Sequence, residues 1–220
     1  MVITKDEVPP RTNIRINNET IKQTDSFKYL GCTITSDGKC ENEIRKRISM
    51  AKDAFGKIKK LVTNSKISMN LRRRFVKCFV WSVLLYGCET WTLKKADEER
   101  LQAAEMWFWR RMLKISWTER KTNEEVLQRV GIGRELLSSV RSRQMRFVGH
   151  VVRREELEHL SLTGKIEGRR PRGRPRQKYL DGLVRWTGGR MSAVQLLQTA
   201  RNREEWRAMI ADVLGDMAPR

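Results

Sequence analysis

The side chains of this 220-residue chain best equipped for chemistry are arginines. Positions 168–178 read GRRPRGRPRQK, and from Lys165 to Lys178 seven Lys or Arg side chains face one acid, Glu167. Pro171 and Pro175 lack an amide hydrogen and disfavour helix in the residue before them, so the strip is expected to be extended. A narrow, guanidinium-rich strip suits a nucleic-acid backbone, or an A/T minor groove whose width and negative potential attract inserted arginine. Arg169, Arg170, Arg172, Gly173, Arg174, Arg176 and Lys178 are therefore candidate nucleic-acid-binding residues. The same composition also serves as a solvated basic linker or a nuclear-localisation patch.

The whole chain shares the bias. It carries 46 Lys and Arg against 26 Asp and Glu, a net charge of +20. Such an excess repels itself in a compact state and favours a polyanionic partner. Apolar residues make up 39% of the chain and include seven Trp, so a packed core is expected rather than a disordered tail.

Other chemistry is poorly provided for. Cys32, Cys40, Cys78 and Cys88 contain no CxxC pair, and neither His150 nor His159 lies near a cysteine in sequence. No metal site and no cofactor are expected. The chain has no Walker loop, no GxSxG elbow and no HExxH. Gly131-Ile132-Gly133 reads as a helix stop, and both histidines read as packed or surface side chains. The start, MVITKDEVPP, has no apolar signal core. The longest apolar stretch, 75–88, is interrupted by Lys77 and too short to span a bilayer, so no membrane association is expected. With four cysteines and no sign of secretion, a reducing compartment, nucleus or cytoplasm, is the default expectation.

The elements that must position these groups follow from hydrophobic period. Residues 13–35 read as short strands: β-branched residues flank an Asn17-Asn18 turn, and KYLGCTIT at 28–35 alternates. From position 41 the period changes. Ile44, Ile48, Ala51, Phe55, Ile58 and Val62 form an amphipathic stripe, with cations such as Lys46 and Lys57 on the other faces. A second helix from about position 70 is expected to turn Leu71, Phe75, Cys78, Ser82 and Leu85 inward. Arg72, Arg73 and Arg74 sit in its first turn, the unfavourable end for cations, which hints that they face an anion. A third helix, 96–116, carries Leu101, Ala104, Phe108, Met112 and Ile115. Its Trp107 and Trp109 read as packing residues, with base stacking as the sharper alternative. A short helix follows from Thr122 and ends at Gly131. The next, 135–154, is expected to turn Leu136, Val140, Phe147 and Val151 inward and Arg141, Arg143 and Arg146 outward. Short and long helices at 179–186 and 193–214 complete the chain.

Two segments carry a resemblance. FKYLG, at Phe27, Lys28, Tyr29, Leu30 and Gly31, and SVLLYGCETW at 82–91 resemble the C-terminal portion of reverse transcriptases of non-LTR (LINE-like, Jockey-type) retrotransposons. RFVGHVVRR at 146–154, RGRPRQKYLDGLVRW at 172–186 and NREEWRAMI at 202–210 are similar to the tail of such elements. The core of the basic strip, 171–175, resembles an AT-hook. The family resemblance implies that Phe27 to Gly31 correspond to the primer grip after the polymerase palm, and that a helical thumb follows. It also implies a departure, because the family's polymerases need palm aspartates for two metal ions and no Asp-Asp pair occurs here. Only twelve residues precede the first strand, which leaves no room for fingers and palm, so the chain alone is not expected to polymerise.

The expectation is a mainly α chain. Residues 1–36 form a β remnant, 37–118 a thumb-like helical unit, 119–160 a helical extension, 161–178 the basic linker and 179–220 a helical tail. The expected function is binding of template-primer or target nucleic acid. Lys46, Lys57, Arg72, Arg73 and Arg74 track the duplex, and the Trp-rich helices are open to a protein partner. The alternatives are a domesticated DNA-binding or scaffold protein and a pseudogene product.

Overall fold

A computed structural model describes residues 1–3, 10–154, 156–163 and 178–215. The basic candidates Arg169, Arg170, Arg172, Gly173, Arg174 and Arg176 lie outside the described residues. The fold is mainly helical, with short hairpins near the N-terminus, as the sequence predicts.

Strands β1 (Arg15–Ile16) and β2 (Glu19–Thr20) pair across Asn17 and Asn18, both at positive φ, which confirms that turn. Strands β3 (Ser26–Tyr29) and β4 (Cys32–Thr35) pair antiparallel, Phe27 opposite Ile34 and Tyr29 opposite Cys32. The expectation of one alternating strand through 28–35 is thereby corrected. Leu30 and Gly31, at φ +46° and +81°, form a two-residue turn of the kind that matches strand twist.

Helix α1 (Glu41–Val62) buries Ile44, Ala51, Phe55 and Val62, with Ile48 and Ile58 partly covered. The expected stripe is the buried one. Helix α2 (Met69–Phe75) runs into a π-helical segment, Val76–Trp81, and a last turn, α3 (Ser82–Leu84). Here the expected face holds only in part. Leu85 is buried and Phe75 packs partly on the core as expected, but Leu71, Cys78 and Ser82 are exposed, and Val76, Val80, Trp81 and Leu84 are buried in their place. The segment is apolar on two faces, so period alone could not choose between them, and the wider π turns shift the phase.

Helix α4 (Lys95–Met112) buries Leu101, Ala104, Phe108, Trp109 and Met112. Helix α5 (Asn123–Val130) opens on the expected cap. The Glu125 amide donates to Thr122 Oγ1 and the Thr122 amide to the Glu125 carboxylate. It ends at Gly131, at φ +73°. These elements and the first part of α6 (Leu136–Arg154) enclose one apolar cluster, ending with Leu136 and Val140.

A second cluster begins on the same helix. Met145, Val148 and Val152 pack with α8 (Tyr179–Trp186), α9 (Ala193–Arg201) and α10 (Arg203–Gly215), while the short α7 (Leu157–Thr163) packs against α6. The single helix expected over 193–214 is two. Asn202 is extended, and its Oδ1 accepts the amides of Glu204 and Glu205, so it caps α10.

Arg141 also departs from expectation. It is buried, ion-paired to Glu98, and donates to Gln144 Oε1 at 3.0 Å. Gln144, fully buried, donates in turn to the Cys88 and Trp91 carbonyls at 3.1 and 2.8 Å. A buried guanidinium is tolerable only when paired and hydrogen-bonded, and this network supplies both conditions.

Candidate nucleic-acid interface

The hairpin tip is held from behind by three side chains. The Tyr86 hydroxyl donates to the Leu30 carbonyl at 2.9 Å, and Arg47 Nη2 donates to the Gly31 carbonyl at 2.6 Å. The Arg47 guanidinium lies 4.5 Å from the centre of the Tyr86 ring. Arg47 Nε also pairs with Glu43 at 2.6 Å, and the other Glu43 oxygen accepts the Thr33 amide at 2.8 Å. Both side chains of that pair are nearly closed to solvent, 6% exposed for Arg47 and 4% for Glu43. Burial alone would raise the Glu43 pKa, but the Thr33 amide and Arg47 outweigh it and hold the carboxyl below its ordinary value.

Gly87 completes the seat. It ends the helix at φ +71°, and a Cβ there would stand 2.8 Å from Cys32 Sγ. FKYLG and LLYG, more than fifty residues apart in sequence, are therefore two halves of one contact. With its turn carbonyls occupied, the hairpin presents its other side outward. Phe27 is 54% exposed, Tyr29 56% and Leu30 75%, and Lys28 is exposed as well. Phe27 and Tyr29 share one face of β3.

The basic candidates have different fates. Lys57 is exposed on α1, and Lys46 is exposed with its Nζ donating to Thr33 Oγ1 at 2.7 Å. Of the triplet on α2, Arg74 is exposed and Arg72 half-buried. Arg73 is engaged inside the protein, donating to the Gly131 carbonyl at 2.6 Å and bonded to Asn70. Lys178 stands exposed at the start of α8, its amide donating to Asp181.

Trp109 is buried in the first cluster. Trp107 is half-buried edge-on to Phe55, with Lys52 at 5.2 Å and Arg111 at 5.1 Å from its ring. All four cysteines are free, and burial pushes the Cys88 thiol up to about 12. Among the described residues, no three His, Cys, Asp or Glu side chains are placed to hold a metal ion. No helix among them is long and apolar enough to cross a membrane.

Sequence reasoning missed Arg47, Glu43 and Tyr86 as the residues that position the hairpin. The Glu43–Arg47 spacing was readable as an ordinary i,i+4 helix pair, but not as a buried one that reaches a hairpin.

The tail motifs make contacts of the same kind. The Tyr179 hydroxyl donates to the Glu89 carbonyl at 2.6 Å, which joins KYLDG to GCET. Trp206 of NREEW donates to the Met145 carbonyl at 3.0 Å and lies against Gly149 of RFVGH.

No family model matches the chain, and no solved structure matches it. It is 28% identical over 203 residues to an uncharacterized transposon-derived protein of Caenorhabditis elegans. The match covers 86% of this chain and 71% of that protein. The similarity covers most of the chain and connects it with transposable-element sequence.

Proposed function

We propose that the chain is the thumb-and-tail portion of a non-LTR retrotransposon reverse transcriptase and binds template-primer or target nucleic acid, without polymerase activity of its own. The carrying observation is the hairpin seat. Tyr86, Arg47 and Gly87 occupy the inner side of the tip, while Phe27, Tyr29 and Leu30 are exposed and Lys46 of α1 bonds Thr33 of the same hairpin. Aromatic side chains can stack on bases or sugars, and lysines on the flanking helix supply phosphate contacts. The net charge and the similarity to a transposon-derived protein support the same reading.

The test is binding of a primed template to the full chain and to a Phe27→Ala, Tyr29→Ala variant. Stacking contributes about 1–3 kcal/mol per base. The double variant should therefore bind at least tenfold more weakly at fixed salt, with helix content unchanged. Unchanged affinity would remove the hairpin from the interface.

A further inference from the structure

The clearest concentration of unopposed charge among the described residues lies in the second cluster. A cleft of about 420 Å³ opens between α6 and α10, lined by Arg146, His150, Arg153, Arg203 and Arg207 over a floor that includes Trp206 and Ile210. That volume is within the range of about 300–1,000 Å³ usual for ligand clefts. Its described lining holds no carboxylate. Arg153 is half-buried and Arg146, Arg203 and Arg207 are exposed, and none of the four forms an ion pair with a described acid.

Helical spacing explains how the cations meet. Arg146, His150 and Arg153 fall at i, i+4 and i+7 on α6, and Arg203 and Arg207 at i and i+4 on α10. Two cationic faces therefore look at each other across the cleft. Like charges at i,i+4 are mutually destabilising, and Arg203 opens its helix at the end the dipole makes unfavourable for a cation. Arg153 records the crowding: burial, and then Arg203 and Arg207, pull its pKa down.

The walls are built rather than incidental. Arg153 Nη1 donates to the Ala200 carbonyl at 2.8 Å, and Trp206 is fixed by its bond to the Met145 carbonyl. Both lie over Gly149, where a Cβ would stand 2.4 Å from the indole nitrogen and 2.9 Å from Arg153 Nη1. The glycine makes room for the guanidinium and the ring that shape the cleft.

We propose that this cleft is a phosphate site for a nucleic-acid strand. Arg146, Arg203 and Arg207 donate to the phosphate oxygens, and the adjoining sugar lies on the apolar floor of α10. Guanidiniums match phosphate oxygens two at a time, and an anion there would relieve the repulsion among the cations. None of these residues is among those expected from sequence to bind nucleic acid, so the site is separate from the hairpin, although it rests on the nucleic-acid reading.

The experiment measures affinity and salt dependence of the full chain for a labelled single strand, prepared with a 5′-phosphate and with a 5′-hydroxyl. The site variant is Arg203→Gln with Arg207→Gln. The control, Lys66→Gln with Arg129→Gln, removes the same charge from exposed positions elsewhere. Neither site residue takes part in the bonds that fix Arg153 or Trp206, and circular dichroism checks the fold.

The proposal expects the site variant to lose at least tenfold in affinity and the salt slope to fall by about 1.4, at about 0.7 per phosphate contact on a single strand. The control should lose less than twofold. A loss on both strands assigns an internal phosphodiester, and a loss confined to the phosphorylated strand assigns the terminal phosphate. Equal losses in site and control variants would overturn the site while leaving nucleic-acid binding intact. No salt-sensitive binding by the unmodified chain would overturn both.

Discussion

Glu43, whose spacing to Arg47 is that of an ordinary i,i+4 helix pair, becomes structural once the hairpin folds onto it. Its carboxylate links Arg47 to the Thr33 amide, and its folded pKa lies below the unfolded value, about 4.3. The contact therefore contributes stability above the ordinary glutamate range and loses it as pH falls through the depressed folded value. Glu105 works in the opposite direction. Burial raises its pKa even though it accepts the Glu135 and Leu136 amides, so its contribution is lost as pH rises. Global stability mixes the two, and a local probe is needed. The Thr33 amide resonance should show a step at a pH below the ordinary glutamate range, and Glu43→Gln should abolish that step. A step that survives the substitution would show that another group senses the pH. That FKYLG and LLYG matter was legible in the sequence, but their mutual contact was not, because nothing local in either segment encodes a partner so far along the chain.

At the scale of elements, glycines decide how closely the helices approach. Gly149 and Gly56 both sit inside helices, and the sequence treats them alike as weak points. The structure separates them. A Cβ at Gly149 would collide with the buried Trp206 ring, whereas one at Gly56 would meet nothing within 4 Å. Gly149→Ala should lower stability by about 1–3 kcal/mol through overpacking, despite alanine's helix preference. Gly56→Ala should raise it by about 0.5–1 kcal/mol. Denaturant midpoints measure both, and the same sign for the two substitutions would contradict this packing account. The stripes of α1 and α4 were legible because each has one apolar face and a regular period. The 69–84 region was not, since Leu71 and Phe75 compete with Val76 and Val80 for the core and the π turns break the period. The split at Asn202 escaped notice because its cap lies inside an otherwise helical pattern.

For the whole molecule, the charge excess was legible and its distribution was not. Composition gives the excess of cations, but only the fold shows which of them are engaged internally. Arg47, Arg73 and Arg141 hold backbone carbonyls or the acids Glu43 and Glu98, while Lys57, Arg74, Arg146, Arg203 and Arg207 remain turned to solvent or to the cleft. The similarity to a transposon-derived protein connects the chain with transposable-element sequence. Phosphate contact releases condensed counterions, and this gives the most direct test of the central claim. Affinity of the full chain for duplex or primed template should fall with salt at a log–log slope near −5, at about −0.9 per contact for five or six cations. A slope close to zero would contradict the account, because the exposed cations would then be a solvated surface and not a nucleic-acid interface.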